Sequence, residues 1–494
     1  VLACALHATG CSGTSPAPRT DRTVILLPAE PLEIDPRHVV DAQGLRVSRL
    51  LFAGLVSIDP DSLEVVPELA ERIETSDDGR TYTVTLRDGL TFSDGSALDA
   101  TDVRATFESL VDPEVGSRFR DNYGRIERVE APDARTVVFT LRAPHAPFLT
   151  DLEIPIVRSE DARAHLHLDD ASLASSGPYR RATHAGLVTE LDGRDDWHAG
   201  RPTHAALRLV VIHDENTRAL RMLAGAGDVA LASIPALLVP MFQGDPRFVV
   251  ASAEGTGTVY VGMELEHAPL TDVRVRRAIA MAIDRAAIAE GKYEGLATVA
   301  ESWIPEGHWA RDPAIIMPAH DVGAARALLR EAGVPEGQRL VLRCASDRTR
   351  VSTARAIAAM LADVGLDVEV RPSETGVLLA DLDGGRFDLA LMALPELFEP
   401  HVMGRFFDSR SIPGEGGGAN RWRLRSPELD AALDRGVRAT TRDARREAYV
   451  DVQRVIAREL PVVPLVHERI VVVASARAGI DRAPRDGRYL FLTR

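Results

Sequence analysis

The sequence predicts a mixed α/β protein built as two or more lobes, and three observations carry that prediction. At 494 residues, 45% of them hydrophobic, the chain exceeds the roughly 250 to 300 residues at which a single core stops growing, so its apolar residues divide among several cores. Residues 340–370 read strand, helix, strand, the order that lays down a parallel sheet. Residues 82–141 alternate apolar and polar side chains on both sides of one amphipathic stretch, the pattern of antiparallel strands packed on a helix.

Taken in order, Tyr82, Val84 and Leu86 point to one face, Asp88-Gly89 turns the chain, and Leu90 and Phe92 resume the alternation, which predicts paired strands. A helix follows through Val103, Phe107, Leu110 and Val111, with Thr101 placed to cap it and Pro113 ending it. Val137, Phe139 and Leu141 give a further strand. Strands are expected at Leu187–Leu191 and Leu207–Ile212, and a helix at Thr217–Leu223. Gly225-Ala226-Gly227-Asp228-Val229-Ala230 fits a dinucleotide fingerprint only formally: its glycines follow a helix and precede a strand, the reverse of the order that puts phosphate on a helix N-terminus. They read as a helix-ending turn. Val275, Ala278, Ile279 and Ala282 recur at helical spacing. The strand Leu340–Cys344, a helix carrying Ile357, Met360, Leu361 and Val364, and a strand with Leu366, Val368 and Val370 form the βαβ unit. Phe387–Met392 reads as another buried strand, Leu429–Leu460 as largely helical, and PVVPLVHERIVVVAS as a returning strand.

Composition narrows the chemistry. With 58 basic residues against 73 acidic and a net charge of -15, the chain lacks the basic face that phosphate backbones demand, so nucleic acid is not an expected partner. Of the basic residues only Lys292 is a lysine, and Tyr293 follows it, so no P-loop is present. Fourteen histidines include His165 and His167, but Leu166 and Leu168 alternate with them, and this reads as the edge of a strand or helix with exposed imidazoles. No His-Glu-x-x-His, paired Cys-x-x-Cys or Gly-x-Ser-x-Gly motif occurs, so neither a metal cofactor nor a hydrolase nucleophile is indicated. No cofactor is expected.

The cysteines Cys4, Cys11 and Cys344 are too few and scattered for a disulfide framework. Cys344 lies in an apolar alternation and reads as a small core residue. Cys11 follows the small residues Ala8, Thr9 and Gly10 and precedes a polar, Pro-containing tether, which looks like a lipoprotein processing site with Cys11 acylated. Ten residues are too few for a complete leader, so the sequence is expected to begin inside one. No later run approaches the apolar length of a membrane span.

In open parallel sheets ligands bind beyond the carboxyl ends of the strands. Two loops fit that rule: Ser346–Arg350, after the strand ending at Cys344, and Ala393–Pro400, after the strand ending at Met392.

The Cys11 tether, the run YTVTLRDGLTFSDG (Tyr82–Gly95), the Ser-Gly-Pro-Tyr turn ending at Tyr179 and DVRVRRAIAMAIDR (Asp272–Arg285) occur in an order that resembles the extracytoplasmic solute-binding proteins of peptide/nickel-type ABC transporters, family 5. The resemblance covers the chain from about Val24 onward. It implies a two-lobed periplasmic-binding-protein-like II fold, a hinged clamp with a small α+β subdomain inserted in the first lobe. The expected divisions are a leader remnant and tether over 1–23, lobe one over 24–256 and 470–494 with its subdomain at about 55–165, and lobe two over 257–469. The crossovers are expected near Gly255–Val261 and Pro464–Val471.

By the same resemblance, Arg348 stands where relatives pair the ligand carboxylate, and Glu396, placed by anchoring on Glu399-Pro400, stands where they take its ammonium. The relatives' tryptophan ahead of that acid is replaced by Ala393-Leu394-Pro395. Further rim candidates are Glu30 and Leu32, Gly177, Leu394, Glu399, Asn420 and Trp422. Trp422 serves either to stack on a ligand or to pack a core, and Arg348, Glu396 and Glu399 are either ligand contacts or ordinary surface charges. The implied function is capture of a small solute, a short peptide first, and its delivery to ABC permease subunits whose separate ATPase subunits consume the ATP. The protein would be a monomer held by its lipid at the extracytoplasmic face of the membrane. The alternatives are a lipid-anchored sensor, or a binding protein for a nickel chelate or oligosaccharide.

Overall fold

The computed structural model describes residues 21–39, 41–414 and 418–493. Cys4, Cys11 and the tether lie outside the described residues, as does most of the glycine run after Gly414. Among the described residues eleven strands join one continuous sheet, and no helix is long and apolar enough to cross a membrane.

Two long strands, Phe248–Met263 and Val462–Ser475, run antiparallel through the middle of this sheet and belong to both lobes. One half of each contributes Phe248, Val471 and Val473 to the packing of the first lobe. The other half contributes Val259, Val261, Met263, Val463 and Leu465 to that of the second. Between them the pairing slips: Glu254 faces Arg469 and Thr258 faces His467, so Gly255, Thr256 and Gly257 share the single partner position Glu468. Extra residues on one strand of a pair bend it and increase its twist.

Lobe-one strands continue outward from Val462–Ser475 in the order Val229–Leu231, Thr23–Leu27, Ala206–Val211, Val188–Gly193 and Tyr179–Ala185. On the other side Phe248–Met263 is flanked by Leu389–Leu394, then Gln338–Ala345, then Leu366–Ser373. Gln338–Ala345 and Leu366–Ser373 are parallel in unbroken register, Leu340 opposite Val368 and Leu342 opposite Val370, with helix Arg348–Ala362 crossing between them. This is the βαβ unit its periodicity predicts. The helical expectation for 429–460 resolves into two helices, Pro427–Arg438 and Arg442–Glu459.

The inserted subdomain is a four-stranded antiparallel sheet in the order Ala70–Thr75, Thr81–Leu86, Thr136–Leu141, Ile126–Glu130. Helix Ala100–Val111 packs Val103, Phe107 and Leu110 against Tyr82, Val84 and Phe139. Three local expectations differ from the structure. Leu90 and Phe92 do not form a second strand against Tyr82–Leu86; only an isolated bridge joins Thr91 to Ala97, because Thr81–Leu86 already pairs on both edges, with Ala70–Thr75 and Thr136–Leu141. The helix cap is Asp99 rather than Thr101: its carboxylate accepts the Thr101 N–H at 2.7 Å while Asp102 accepts the Asp99 N–H at 3.0 Å, a reciprocal arrangement worth about 1 kcal/mol. The segment His165–Leu168 is likewise irregular and not the edge of a strand or helix. His165 pairs with Glu33 at 2.6 Å and stacks between His38 and His167, while Leu166 and Leu168 are buried.

Candidate ligand cleft

Strand directions place the cleft. Val462–Ser475 enters lobe one running away from the boundary; Val229–Leu231 is antiparallel to it, and Thr23–Leu27 and Ala206–Val211 run with Val229–Leu231. All three therefore end at the boundary. Phe248–Met263 enters lobe two running away from the boundary, Leu389–Leu394 is antiparallel to it, and Gln338–Ala345 runs with Leu389–Leu394. These end at the boundary too. Carboxyl ends from both lobes thus face one another across the crossing strands, the position at which open parallel sheets take ligands.

Glu30 and Leu32 follow the end of Thr23–Leu27. Glu30 is half-buried, and the apolar side chain of Leu32 leaves 80% of its surface exposed. Arg348 is the first residue of its helix, behind the cap Asp347, and is exposed. Glu396 follows the end of Leu389–Leu394 and lies 4.0 Å from Arg488 of the C-terminal segment. Glu399 is engaged by Arg445 at 2.5 Å, by the His401 N–H at 3.0 Å and by the Thr150 hydroxyl at 3.4 Å. It ties the lobe-two loop to the subdomain.

The remaining candidates occupy packed positions. Leu394 is buried in the lobe-two core. Gly177 donates its N–H to Leu51 at 2.8 Å, and a Cβ there would lie 2.7 Å from the Leu51 carbonyl carbon, so it serves the close approach of two backbones inside lobe one. Asn420 is fully buried, donating to the carbonyls of Asp408 at 3.0 Å and Leu424 at 2.8 Å and accepting the Leu424 N–H at 3.1 Å. Trp422 is 0% exposed and packs on Tyr260 and Phe387. Both are buried inside lobe two: Asn420 is not on the rim expected of it, and Trp422 takes the core-packing one of its two expected roles. Trp422 fits because Gly262 opposite it has no Cβ, which would stand 1.9 Å from the indole.

Sequence reasoning missed the ionic centre of the boundary. Arg488, on the C-terminal segment, is 2% exposed at its side chain; it binds Glu153 through both carboxylate oxygens, lies 3.9 Å from Asp486, and sets its guanidinium 4.6 Å over the Phe398 ring of the lobe-two loop. Arg49 adds a second contact to Glu153 at 3.2 Å. Burial alone would raise the Glu153 carboxyl, but Arg488 and Arg49 outweigh it and hold it below its ordinary range. Burial pushes Asp486 the other way, only partly countered by Arg488. The one available signal was a charged residue beside the apolar run Tyr489–Leu492. A second link is Arg485, which donates to the carbonyls of Glu254 on the crossing strand at 3.2 Å, Glu306 of lobe two at 3.0 Å and Asp61 of the subdomain at 3.4 Å.

Where subdomain and lobe two meet, a cavity of about 250 Å³ is lined by Tyr82, His145, Thr150, Trp309, Phe398 and Arg445. It opens beside the Glu396 loop. Among the described residues, no group of three or more His, Cys, Asp or Glu side chains could hold a metal ion. The arrangement suits a small polar solute that touches both lobes.

The family model described as "Bacterial extracellular solute-binding proteins, family 5 Middle" matches residues 64–401. Di/tripeptide-binding protein 1 of Pseudomonas aeruginosa (strain UCBPP-PA14) is 26% identical over 460 residues, covering 85% of this chain and 84% of the relative. Glutathione-binding protein GsiB of Salmonella paratyphi A is 26% identical over 478 residues, covering 90% and 88%. Among solved structures, NikZ from Campylobacter jejuni in complex with Ni(L-His) superposes with a TM-score of 0.79 at 23% identity, over 92% of this chain and 94% of that one. That likeness establishes the two-lobed fold.

Proposed function

Because this chain belongs to the bacterial extracellular solute-binding proteins, family 5, we propose that it captures a short peptide in the cleft between its lobes and hands it to the permease of an ABC importer. The observation that carries the reading is the convergence of strand ends from both lobes on one boundary, with Glu30 and Leu32 on one side and Arg348 and Glu396 on the other. A di/tripeptide-binding relative and a glutathione-binding relative, each matched over most of its length, support the cargo class.

In this reading Arg348 takes the peptide carboxylate through its planar fork and Glu396 accepts the ammonium. Lobe one spans 24–256 and 470–494, its subdomain about 55–165, and lobe two 257–469. The hinge is the register break at Gly255–Gly257, supported by the loss of pairing there. Closure follows from contacts that only the closed state makes with the solute, since a ligand shifts an equilibrium by its differential affinity alone. The protein performs no chemistry on its cargo and works as a monomer, anchored by an acyl chain on Cys11 at the outer face of the membrane. That part rests on the sequence pattern at Cys11 and on the extracellular character of the family.

Titration calorimetry with the dipeptide Ala-Gln tests the assignment. Arg348→Ala and Glu396→Ala should each weaken binding roughly ten- to hundred-fold, the loss of one charge-assisted hydrogen bond. Unchanged affinity in both variants rejects the two-ended clamp.

A further inference from the structure

We infer that lobe two carries a subsite for a second negative charge on the solute, formed by Lys292 and Arg355 beside Arg348, so that the preferred cargo ends in an acidic residue. The inference rests on the reading that the solute's carboxylate lies at Arg348, and it deepens that reading.

These three cations line one open concavity of about 490 Å³ together with Ser346 and Ser352, and no carboxylate is among its walls. The concavity lies at the carboxyl end of Gln338–Ala345, on the boundary side of lobe two, where the neighbouring Arg350 reaches Glu468 of the crossing strand at 3.6 Å. Among the described residues, the guanidinium groups of Arg348 and Arg355 have no hydrogen-bond or ion-pair partner, whereas nearby arginines are paired: Arg343 with Asp381 at 2.6 Å, Arg371 with Glu369 at 2.8 Å. Asp347, next to Arg348 in the chain, is turned to cap its helix and accepts the Arg350 N–H at 2.9 Å.

Lys292 sharpens the point. It is the one lysine of the chain, it is half-buried, and its ammonium donates to Ser352 at 3.0 Å with no acidic partner among the described residues. Three unpaired cations around one hollow repel one another, a cost that a bound anion removes. A single carboxylate at Arg348 satisfies one of them. A C-terminal glutamate or aspartate brings two carboxylates a few bonds apart, and the second falls to Lys292 and Arg355, a compact point charge and a planar fork that together fix its position.

The test compares Ala-Glu with Ala-Gln, which match in shape and differ by one charge. The intact protein should bind Ala-Glu at least about ten-fold more tightly, the value of one charge-assisted contact. Lys292→Met combined with Arg355→Gln should abolish that preference while leaving Ala-Gln affinity unchanged, and raised salt should shrink it in the intact protein. Because the chain has a single lysine, reductive methylation with ¹³C gives one side-chain resonance, and it should shift on addition of Ala-Glu and stay fixed on addition of Ala-Gln. Equal affinities, or a preference that survives the double substitution, overturn the inference. If Arg348→Ala leaves Ala-Gln binding intact, the placement of the carboxylate is wrong, and a Lys292-dependent preference remains readable on its own. Binding of neither dipeptide rejects both.

Discussion

Replacing Arg488 with methionine is expected to destabilise the protein by about 3 to 5 kcal/mol, the cost of stranding a buried charge whose partner is removed. Glu153 loses its bidentate partner and keeps only Arg49, Asp486 loses its nearest cation, and the Phe398 ring loses the guanidinium above it. The effect carries a pH signature. In the intact protein the Glu153 carboxyl is held below its ordinary range by Arg488 and Arg49 against the opposing effect of burial. A depressed carboxylate contributes stability above its unfolded pKa, about 4.3, and that contribution is lost as pH falls through the folded value. Without Arg488 the burial effect gains weight, so the deficit of the variant should widen between pH 4 and pH 7. Urea unfolding at the two pH values measures it, and a deficit under about 1 kcal/mol, or one independent of pH, contradicts the assignment. Glu153→Gln in the Arg488→Met background should recover part of the loss, because it removes the stranded charge itself.

Trp422→Ala should cost about 3 to 5 kcal/mol through the cavity it leaves. The indole is fully buried between Tyr260 and Phe387, over the bare backbone of Gly262. Filling that space from the other side should also destabilise, since the Cβ of Gly262→Ala would stand 1.9 to 2.4 Å from three ring carbons. Neither substitution touches the cleft, so folded Trp422→Ala protein at low temperature should bind Ala-Gln as the intact chain does. A small loss of stability with a large loss of affinity would return Trp422 to the ligand.

The elements most legible in the sequence are those whose periodicity is set by one buried face. Leu340, Leu342, Leu366, Val368 and Val370 alternate because both strands are covered on one side, and the parallel register follows from the single helix between them. Leu90 and Phe92 alternate equally well and misled, since alternation reports burial and not which edge is free to pair. Asn420 and Trp422 are a similar case: a tryptophan beside an asparagine reads alike on a rim or in a core, and only Gly262, far away in the chain, decides it. Arg488 and Glu153 are separated by 335 positions, and no local pattern links them. The two loops at strand ends were legible from topology alone. What each side chain on them meets was not, as Glu399, held by Arg445 and Thr150, makes plain.

Small-angle X-ray scattering of the protein alone and saturated with a bound dipeptide tests the hinged clamp most directly. The crossing strands are the covalent connections between the lobes, and the remaining links, among them those of Arg485, Arg488, Glu399 with Thr150 and Arg442 with Glu64, are non-covalent, so cargo should shift the population toward closure and lower the radius of gyration. Glu396→Ala, which removes the contact to Arg488 of lobe one and, in the proposed reading, the acceptor for the solute's ammonium, should blunt the change. A scattering profile identical with and without saturating cargo would contradict closure as the mode of capture.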